Sequence, residues 1–577
     1  RGLNSDGNPD EIAFKQTVRG YIGAMTERIE AYDETRKLPQ YFIFLDQNYF
    51  EANKSRLFFR VLLDPLNYEL DLPDGYEEWE AEMAEAQERL RQAVANSSLL
   101  QTELAQYGED WLENRIRVHI NVTNPSDFSF TSLHVAGIVP VPDNVMRDHR
   151  KIAFYDITED DPYRGLAMFT GMGIGEHYVG PNWEDRAVVI QGPAALRVKT
   201  AARELLEQQG FEPDEIPFPL RPLEKPPTYE TTIDSVAGVL AGRISTYTGR
   251  VLQLHNKTGF ADKPINVEKA ILYTLMPAGS LLKVPDSLWQ NYVYASMLVG
   301  SALRGCEVLI MAPALRSAPS AASVTMARAH GLFGALIVMK NGLNQEIETE
   351  GGMLKTGLYA PKVGVGDLAG RIRQSREMDE PWLRELYPEN PAIREAVDRM
   401  LPELEEVDVS ADYLVASGVD ESPKLHLKAN YVITGEAWEI LMRMPEWGPL
   451  ITEYLRYLAL QTGPPESRPA GREVPESLVR AVQDLARSLE SELTPQQMQR
   501  AASFFTVGST NMDYRSMVMD GEVQITMRGW NSIAGLVDFA FLVGLCEWVD
   551  TLEELDALLP PPGGLTRSMA NFMKLAL

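Results

Sequence analysis

Strand-like and helix-like patterns both occur along this chain. Residues 41–45 and 57–63 are short runs of aromatic and aliphatic side chains, and residues 115–122 alternate in polarity, as strands do. Residues 76–106 are rich in Glu, Ala, Leu and Gln, which predicts a charged, solvated helix. The pattern therefore predicts a globular chain that combines strands with helices.

Prolines divide the chain. Residues 213–228 contain a dense group of prolines, which predicts a stiff linker. We place a boundary there, so that residues 1–212 form an N-terminal lobe and residues 229–577 form a C-terminal lobe.

The C-terminal lobe contains an unusually apolar, aromatic segment at residues 438–458, followed by a Pro-rich break at 464–475 and a helix-like stretch at 477–490. Two interpretations remain open. The segment is a lid or platform for acyl chains, with Trp438 and Trp447 contacting substrate, because Trp favours bilayer interfaces. Alternatively, it is a helix packed on its own lobe.

Two His-x-Lys pairs are the strongest chemical signal. The first is complete, with His149, Lys151 and, after four more residues, Asp156. The second has His426 and Lys428. On a strand, residues two apart share a face, so each pair presents an imidazole beside an ammonium. Cleavage of a phosphodiester needs a nucleophile, an acid for the leaving alkoxide and positive charge for the phosphoryl oxygens, and two such pairs supply all three.

The surroundings of both pairs resemble the phospholipase D superfamily, and bacterial cardiolipin synthases in their motif wording. The first pair is followed by Phe169-Thr-Gly-Met-Gly-Ile, Trp183-Glu-Asp-Arg and Gly192-Pro-Ala. The second pair is followed, about 80 residues downstream, by Gly508-Ser-Thr-Asn-Met-Asp-Tyr-Arg-Ser and then Glu522. The resemblance covers both motif regions and is weak elsewhere.

The resemblance implies an α/β fold of two lobes related by a pseudo-two-fold axis, each a mixed β-sheet flanked by helices, with the active site at their seam. It implies a covalent phosphohistidine and no metal or organic cofactor. We favour His149 as nucleophile and His426 as acid because the first motif is the intact one; the reverse remains open. The roles it implies for other residues are these: Lys151, Lys428 and Asn511 stabilise phosphoryl oxygens, Asp185 and Glu522 hold the imidazoles, and Asp156 and Ser509 support them.

The chain also departs from the family pattern. Gly173 stands where Asn is usual, and Ile433 occupies the place of the second motif's Asp. Residues 434–500 form an insertion within the second motif. These departures leave open a catalytically weak, phospholipid-binding protein.

A third match, His255-Asn-Lys257 with Asp262, has no Gly-Ser-x-Asn partner. Gly259 and Pro264 argue against a regular strand there. We interpret it as a coincidence or as a phosphate contact near the site. For the acidic loop 156–161, a solvated loop is favoured over a calcium site.

The amino-acid composition limits the class of substrate that can be expected. The net charge is −28. Nonspecific nucleic-acid binding depends on basic surfaces, so a nuclease, which would use the same residues, is disfavoured and nucleic acid is an unlikely partner. Cys306 and Cys546 lie in apolar runs and are expected to be buried thiols.

The expected function is therefore that of a phospholipid phosphodiesterase or phosphatidyltransferase with peripheral membrane contact. Residues 533–549 are too short an apolar run to span a bilayer. The chain is expected to be bacterial and soluble, with any targeting segment upstream of Arg1. The lipid headgroup, the acceptor and the oligomeric state stay open.

Overall fold

The structure is a computed structural model. It describes residues 19–30, 41–46, 77–107, 116–121, 148–158, 161, 165–171, 183–208, 211–212, 251–257, 262–318, 323–360, 391, 394–395, 398–399, 402, 424–462, 476–492, 494, 497, 503–528 and 546–572.

The chain divides into two compact units. The smaller unit comprises Arg1–Asp148, Gly173–Gly180 and Arg203–Pro219, and the larger comprises His149–Met172, Pro181–Ala202 and Leu220–Leu577. The predicted linker at 213–228 lies outside the described residues, and the predicted pseudo-two-fold relation of two lobes stays a prediction.

The smaller unit contains helices and a parallel pair of strands. Its elements are α1 (Arg19–Glu30), β1 (Tyr41–Asp46), α2 (Glu77–Asn96), α3 (Ser98–Tyr107) and β2 (Ile116–Asn121). β1 and β2 pair in parallel from Tyr41 opposite Ile116 to Asp46 opposite Asn121. The strands predicted at 41–45 and 115–122 are thus confirmed, and the predicted charged helix is two helices that meet at Ser97. Residues 57–63 lie outside the described residues.

The larger unit begins with a small antiparallel sheet. Its elements are β3 (Ile152–Tyr155), β4 (Leu166–Thr170), β5 (Trp183–Glu184), β6 (Ala187–Gln191) and α4 (Pro193–Gln208), the last of which has residues of both units. Strands β3, β4 and β6 form a three-stranded sheet in that order.

A mixed sheet of eight strands forms the centre of the larger unit, in the order β15-β10-β9-β8-β12-β13-β14-β7. Its strands are β7 (Val251–Asn256), β8 (Leu281–Pro285), β9 (Glu307–Pro313), β10 (Met353–Tyr359), β12 (Ala429–Ile433), β13 (Ser503–Gly508), β14 (Glu522–Arg528) and β15 (Cys546–Trp548). Strands β8, β9 and β10 are parallel, and the other neighbours are antiparallel. The short strand β11 (Lys424–Leu425) pairs with β5.

Helices cover both faces of this sheet. They are α5 (Pro264–Thr274), α6 (Tyr292–Ala302), α7 (Ser323–Thr349), α8 (Gly435–Arg443), α9 (Trp447–Thr462), α10 (Glu476–Glu492), α11 (Tyr514–Val518), α12 (Leu552–Leu558) and α13 (Gly564–Phe572), with a 3-10 turn at Leu315–Ser317. The expected α/β class, with a large mixed sheet flanked by helices, is confirmed.

Alternate residues of the central strands enter two separate cores. Leu309, Met311 and Tyr431 belong to a first core, which also receives the three-stranded sheet and the insertion helices α8–α10. Val308, Ile310 and Val432 belong to a second core, formed with α5, α6, α7 and α12. Because side chains alternate between faces along a strand, a strand buried on both faces appears in the sequence as a continuous apolar run. The sheet that follows the first motif therefore packs on the sheet that carries the second.

Other sequence-based expectations concern individual segments. The helix predicted at 477–490 is α10. Cys306 and Cys546 are buried free thiols, as expected. Residues 529–545, which include most of the apolar run at 533–549, lie outside the described residues. Within the described segments, no helix has the length and hydropathy that crossing a bilayer requires.

Candidate active site

His149 is positioned by the strand that carries Glu522. The backbone N–H of His149 donates to the carbonyl oxygen of Gly521 (2.8 Å), one residue before Glu522 begins β14. This link places His149 Nδ1 3.2 Å from both carboxylate oxygens of Glu522. A carboxylate beside Nδ1 favours a proton there and leaves Nε2 to meet a substrate.

Glu522 is itself held in place. Its side chain is completely buried, and it accepts hydrogen bonds from the hydroxyls of Ser509 and Ser516 (2.7 Å for Ser516). Hydrogen bonds to the charged form favour a buried carboxylate in its ionised state. Ser509, predicted as a support, therefore contacts the carboxylate beside His149; Ser516 is a second contact of that carboxylate, and no role was predicted for it.

His426 is positioned by the strand that precedes Asp185. β11 pairs in parallel with β5, so that Leu425 lies opposite Glu184. His426 directly follows β11, and Asp185 directly follows β5. His426 Nδ1 lies 2.7 Å from Asp185 Oδ2. The pairs are therefore crossed: each histidine takes its carboxylate from the sequence region of the other motif.

Two glycines allow close contacts beside these pairs. A Cβ on Gly171 would lie 2.7 Å from Asp185 Oδ1, so any side chain there would displace the partner of His426. A Cβ on Gly508 would lie 2.2 Å from the Val523 carbonyl oxygen. That approach lets Ser509 donate its backbone N–H to the same oxygen (2.9 Å) and reach Glu522.

Both lysines turn back toward their own motifs. Lys151 Nζ donates to the His149 carbonyl oxygen (2.8 Å), and Lys428 Nζ donates to the His426 carbonyl oxygen (2.6 Å). Lys428 Nζ also lies 2.9 Å from each ring nitrogen of His426. Lys151 is near enough to His426 for its charge to act on that ring. The two motifs thus contribute to one cluster of charges.

Burial and the neighbouring ammonium groups lower the pKa of His426 to about 4, although Asp185 opposes the shift. His426 is therefore neutral at pH 7. Burial also lowers the pKa of Lys428, and the surrounding carboxylates, led by Asp185 and Asp286, oppose that change. These signs follow from the cost of burying charge and its relief by opposite charge.

Residues at the end of β8 belong to the same cluster, and the sequence analysis missed them. Asp286 forms a β-bridge with Lys428, and burial raises the pKa of its carboxyl to about 7. The Ser287 hydroxyl donates to Asn511 Oδ1 (3.2 Å) and lies 3.5 Å from Lys428 Nζ. Adjacent polar residues directly after a buried strand were the available signal.

A buried lysine on α5 supports the segment that carries Asn511. Lys269 Nζ donates to the Thr510 carbonyl oxygen (3.3 Å) and lies 5.5 Å from the ring centre of Tyr294. Burial lowers the pKa of Lys269, against the opposing charges of Asp286 and Glu522. Its neighbour Glu268, whose pKa burial raises to about 7, accepts hydrogen bonds from Gln524 and Thr526.

Three motif positions have structural settings of their own. Asp156 follows β3 with φ of 49°, in the left-handed region that Asp tolerates better than most residues. Ile433 is completely buried in the first core, so an apolar contact occupies the place of the second motif's Asp. Gly173 lies outside the described residues.

The third His-x-Lys match begins on β7, the strand that pairs with β14, and His255 lies opposite Val523. His255 lies in β7, so the expectation that no regular strand occurs there is wrong; Pro264 instead begins α5. Lys257 and Asp262 pair with each other (3.1 Å) at the surface. His255 Nε2 contacts Gln253 Nε2 (2.6 Å), and burial lowers the pKa of His255.

The two tryptophans predicted to contact substrate differ in exposure. Trp447 is completely buried in the first core. This burial favours the packed-helix interpretation for Trp447 over contact with lipid. Trp438 is only partly buried against the same core, so a lipid contact at Trp438 stays a prediction. In the described part of the chain, no three His, Cys, Asp or Glu side chains are grouped so that they could hold a metal ion.

Comparisons with known proteins add little. No protein-family model matches the chain, and no curated protein matches it. Among solved structures, the chain is similar to the phosphatidylserine synthase of Haemophilus influenzae Rd KW20, with a TM-score of 0.41 and 10% sequence identity, over 97% of this chain and 94% of that chain. A likeness this distant carries no argument for a shared activity.

Proposed function

We propose that the chain is a phospholipid phosphodiesterase or phosphatidyltransferase that acts through a covalent phosphohistidine. The observation that carries the proposal is the crossed arrangement of the two histidines. Each has a carboxylate at Nδ1, and the two His-x-Lys motifs contribute ammonium groups to one cluster. A two-step displacement at phosphorus needs two imidazoles with fixed tautomers, and this cluster supplies them.

We assign the nucleophile to His426. A nucleophile must be neutral, and the lowered pKa of His426, about 4, keeps it so at neutral pH. Its Nδ1 is bound by Asp185 at 2.7 Å, which leaves Nε2 for attack. This assignment reverses the one favoured from the sequence, where the intact first motif suggested His149.

His149 then serves as the acid. Glu522 is buried and lies 3.2 Å from His149 Nδ1, so it would stabilise an imidazolium there. In the first step, His426 Nε2 bonds to phosphorus, the phosphorus–oxygen bond to the leaving alcohol breaks, and His149 gives its proton to that oxygen. In the second step, water or an acceptor alcohol gives its proton to His149 and attacks phosphorus, which breaks the phosphorus–nitrogen bond.

The lysines and Asn511 stabilise the negative charge that develops on the phosphoryl oxygens. Lys428 lies 2.9 Å from His426 Nε2, close to where phosphorus must approach. Lys151 reaches the same cluster from the first motif. Fixed donors of this kind need no reorganisation during the reaction, which is why they lower the barrier.

A phospholipid is the favoured substrate class for two reasons. The sequences around the two motifs resemble those of phospholipid-processing enzymes. A net charge of −28 disfavours binding to the phosphate backbone of a nucleic acid. The reaction assigned to these side chains routes no step through a metal, so we expect turnover to persist in EDTA.

The test is product analysis with mixed-phospholipid vesicles in EDTA, with and without a primary alcohol. Release of phosphatidic acid alone would identify a hydrolase, and transfer of the phosphatidyl group to the alcohol would identify a transferase. Cleavage of single-stranded DNA under the same conditions without lipid turnover would replace the proposal with a nuclease. Lipid binding without any product would indicate a scaffold.

Trp438 and Trp447 offer a matched pair for the lipid contact. Trp438→Ala should lower turnover of vesicle-borne lipid by about tenfold and leave a short, soluble phosphodiester unaffected, since the contact is worth about 1–2 kcal/mol. Trp447→Ala should instead lower the melting temperature and both activities together, because its side chain fills the core. Equal losses on the two substrates for Trp438→Ala would reject the lipid contact.

A further inference from the structure

A buried serine outside both motifs contacts the candidate site. Ser287 follows β8, and its side chain lies between Lys428 and Asn511. All three residues are buried, with 2%, 4% and 2% of their surfaces exposed, respectively. The backbone N–H of Ser287 donates to the carbonyl oxygen of Leu427 (3.2 Å), which fixes it beside the second motif.

The hydrogen bonds of this trio can run in one direction alone. An ammonium donates and never accepts, so Lys428 donates to Ser287 Oγ over 3.5 Å. The hydroxyl has one proton, and it goes to the remaining neighbour, Asn511 Oδ1, at 3.2 Å. The oxygen of the Asn511 amide is thereby turned toward Ser287, and its NH2 group points elsewhere.

The backbone of Asn511 is fixed independently. Its N–H donates to Ser516 Oγ (3.3 Å), and Ser516 donates in turn to Glu522 (2.7 Å). Lys269 holds the preceding carbonyl group at Thr510. With the backbone fixed, the side chain of Asn511 can still rotate, and a half-turn of its amide exchanges a donor for an acceptor.

We propose that Ser287 is the positioning residue that sets the amide orientation of Asn511, so that the NH2 group faces the phosphoryl oxygens. This inference rests on the proposed function, because it requires an anionic phosphoryl group at the site. Without the serine proton, the amide can present its oxygen to that group, where it repels the negative charge. Ser287 thus acts through Asn511 and not on the substrate.

The test is a double-mutant cycle on a soluble phosphodiester. Ser287→Ala should lower kcat by about tenfold with little change in KM, a fraction of the about 10²–10³-fold that one lost oxyanion donor costs. Asn511→Ala should lower kcat further, and Ser287→Ala/Asn511→Ala should lose no more than Asn511→Ala alone, since a positioning residue has no effect once its target is absent. Ser287→Thr retains the hydroxyl and should restore most of the rate.

Two variants separate positioning from packing. Ser287→Cys fills the space with a somewhat larger side chain that is a weaker donor, so it should resemble Ser287→Ala if the proton matters. Ser280→Ala is the matched control: Ser280 is a completely buried serine that directly precedes β8, and its hydroxyl has no partner in the described part of the chain. The control should keep the wild-type kcat. A similar loss in Ser280→Ala, or additive losses in the double mutant, would overturn the inference.

Vanadate binding distinguishes failure of this inference from failure of the proposed function. The same cycle, read as the Kd of inorganic vanadate, should show binding weakened about tenfold by Ser287→Ala, and a double mutant that binds no more weakly than Asn511→Ala alone. If phosphodiester turnover were absent but this coupling were present, the activity would be wrong and the role of Ser287 would stand. Wild-type vanadate affinity in Ser287→Ala, or no vanadate binding by the wild type, would overturn the role.

Discussion

The two histidine–carboxylate pairs have the same chemical groups and different surroundings. Asp185 contacts His426 at 2.7 Å and accepts the backbone N–H of Arg186, also at 2.7 Å. Glu522 lies farther from His149, at 3.2 Å from both oxygens, and accepts two serine hydroxyls as well. Lys428 lies directly on His426, whereas Lys151 turns to the carbonyl group of His149.

The difference teaches that the surroundings of a motif, and not its residues alone, affect the pKa of its histidine. Burial and the ammonium group of Lys428 outweigh the effect of Asp185 and lower the pKa of His426 to about 4. His149 has instead a completely buried carboxylate anchored by two hydroxyls. In the proposed mechanism, the two equivalent motifs divide the two roles, with a neutral nucleophile in one and an acid in the other.

His426→Asn should have the largest effect. The substitution removes the proposed nucleophile, so turnover should fall by about 10⁴-fold or more, as when a member of a catalytic unit is lost. The loss should be the same for good and poor leaving groups. A substrate labelled in its phosphoryl group should leave no acid-labile label on the protein. Labelling of His426→Asn would return the nucleophile to His149.

His149→Asn should have a large effect that depends on the leaving group. Removing the acid should slow the first step, measured as kcat/KM or as the burst of released alcohol, by about 10²–10⁴-fold with an alkyl leaving group, which needs a proton, and far less with p-nitrophenolate. Because His149 also activates the acceptor in the second step, the phosphohistidine should accumulate and be visible after denaturation. Equal losses with both leaving groups would contradict the assignment.

Asp185→Asn and Glu522→Gln sharpen the contrast between the two carboxylates. Asp185→Asn should lower kcat by about 10²–10⁴-fold through the wrong tautomer of His426, with little change in stability. Glu522→Gln should lower activity and also the free energy of unfolding, by about 1–3 kcal/mol, because the two serines donate to different carboxylate oxygens and the amide keeps one oxygen alone. Ser488→Ala is the control for loss of a hydroxyl–carboxylate contact away from the site. It removes the half-buried hydroxyl of Ser488 on α10, which donates to Glu446 in the turn between α8 and α9. An Asp185→Asn variant as unstable as Glu522→Gln would remove the contrast.

The pH dependence of stability should show the smallest effect. The pKa of folded His426, about 4, lies below its ordinary value of 6.5. The group therefore contributes stability that is present above pH 6.5 and is lost as the pH falls toward 4. Between pH 7.5 and 5, His426→Asn should lose about 1–2 kcal/mol less than the wild type in urea unfolding. Lys428→Met should raise the pKa of His426 and reduce the loss in the same way. Identical pH profiles for all three proteins would reject the lowered pKa.

The sequence by itself determined which side chains can do the chemistry. The two His-x-Lys pairs were identifiable from residue type and spacing, and Asp185, Asn511 and Glu522 were identifiable from the resemblance of their surroundings to the phospholipase D superfamily. The apolar run at residues 308–312 is likewise a strand that is buried on both faces of the sheet. These properties are local, because they depend on side chains within a few positions of each other.

Only the tertiary structure decided how those side chains are paired. The pairing of β5 with β11 joins residues more than two hundred positions apart and brings Asp185 to His426. Tertiary packing also buries that histidine, which lowers its pKa. The same packing places Trp447 in the core and Ser287 beside Asn511. Strand register and burial arise from the packing of distant segments, and the spacing of residues within one motif does not encode them.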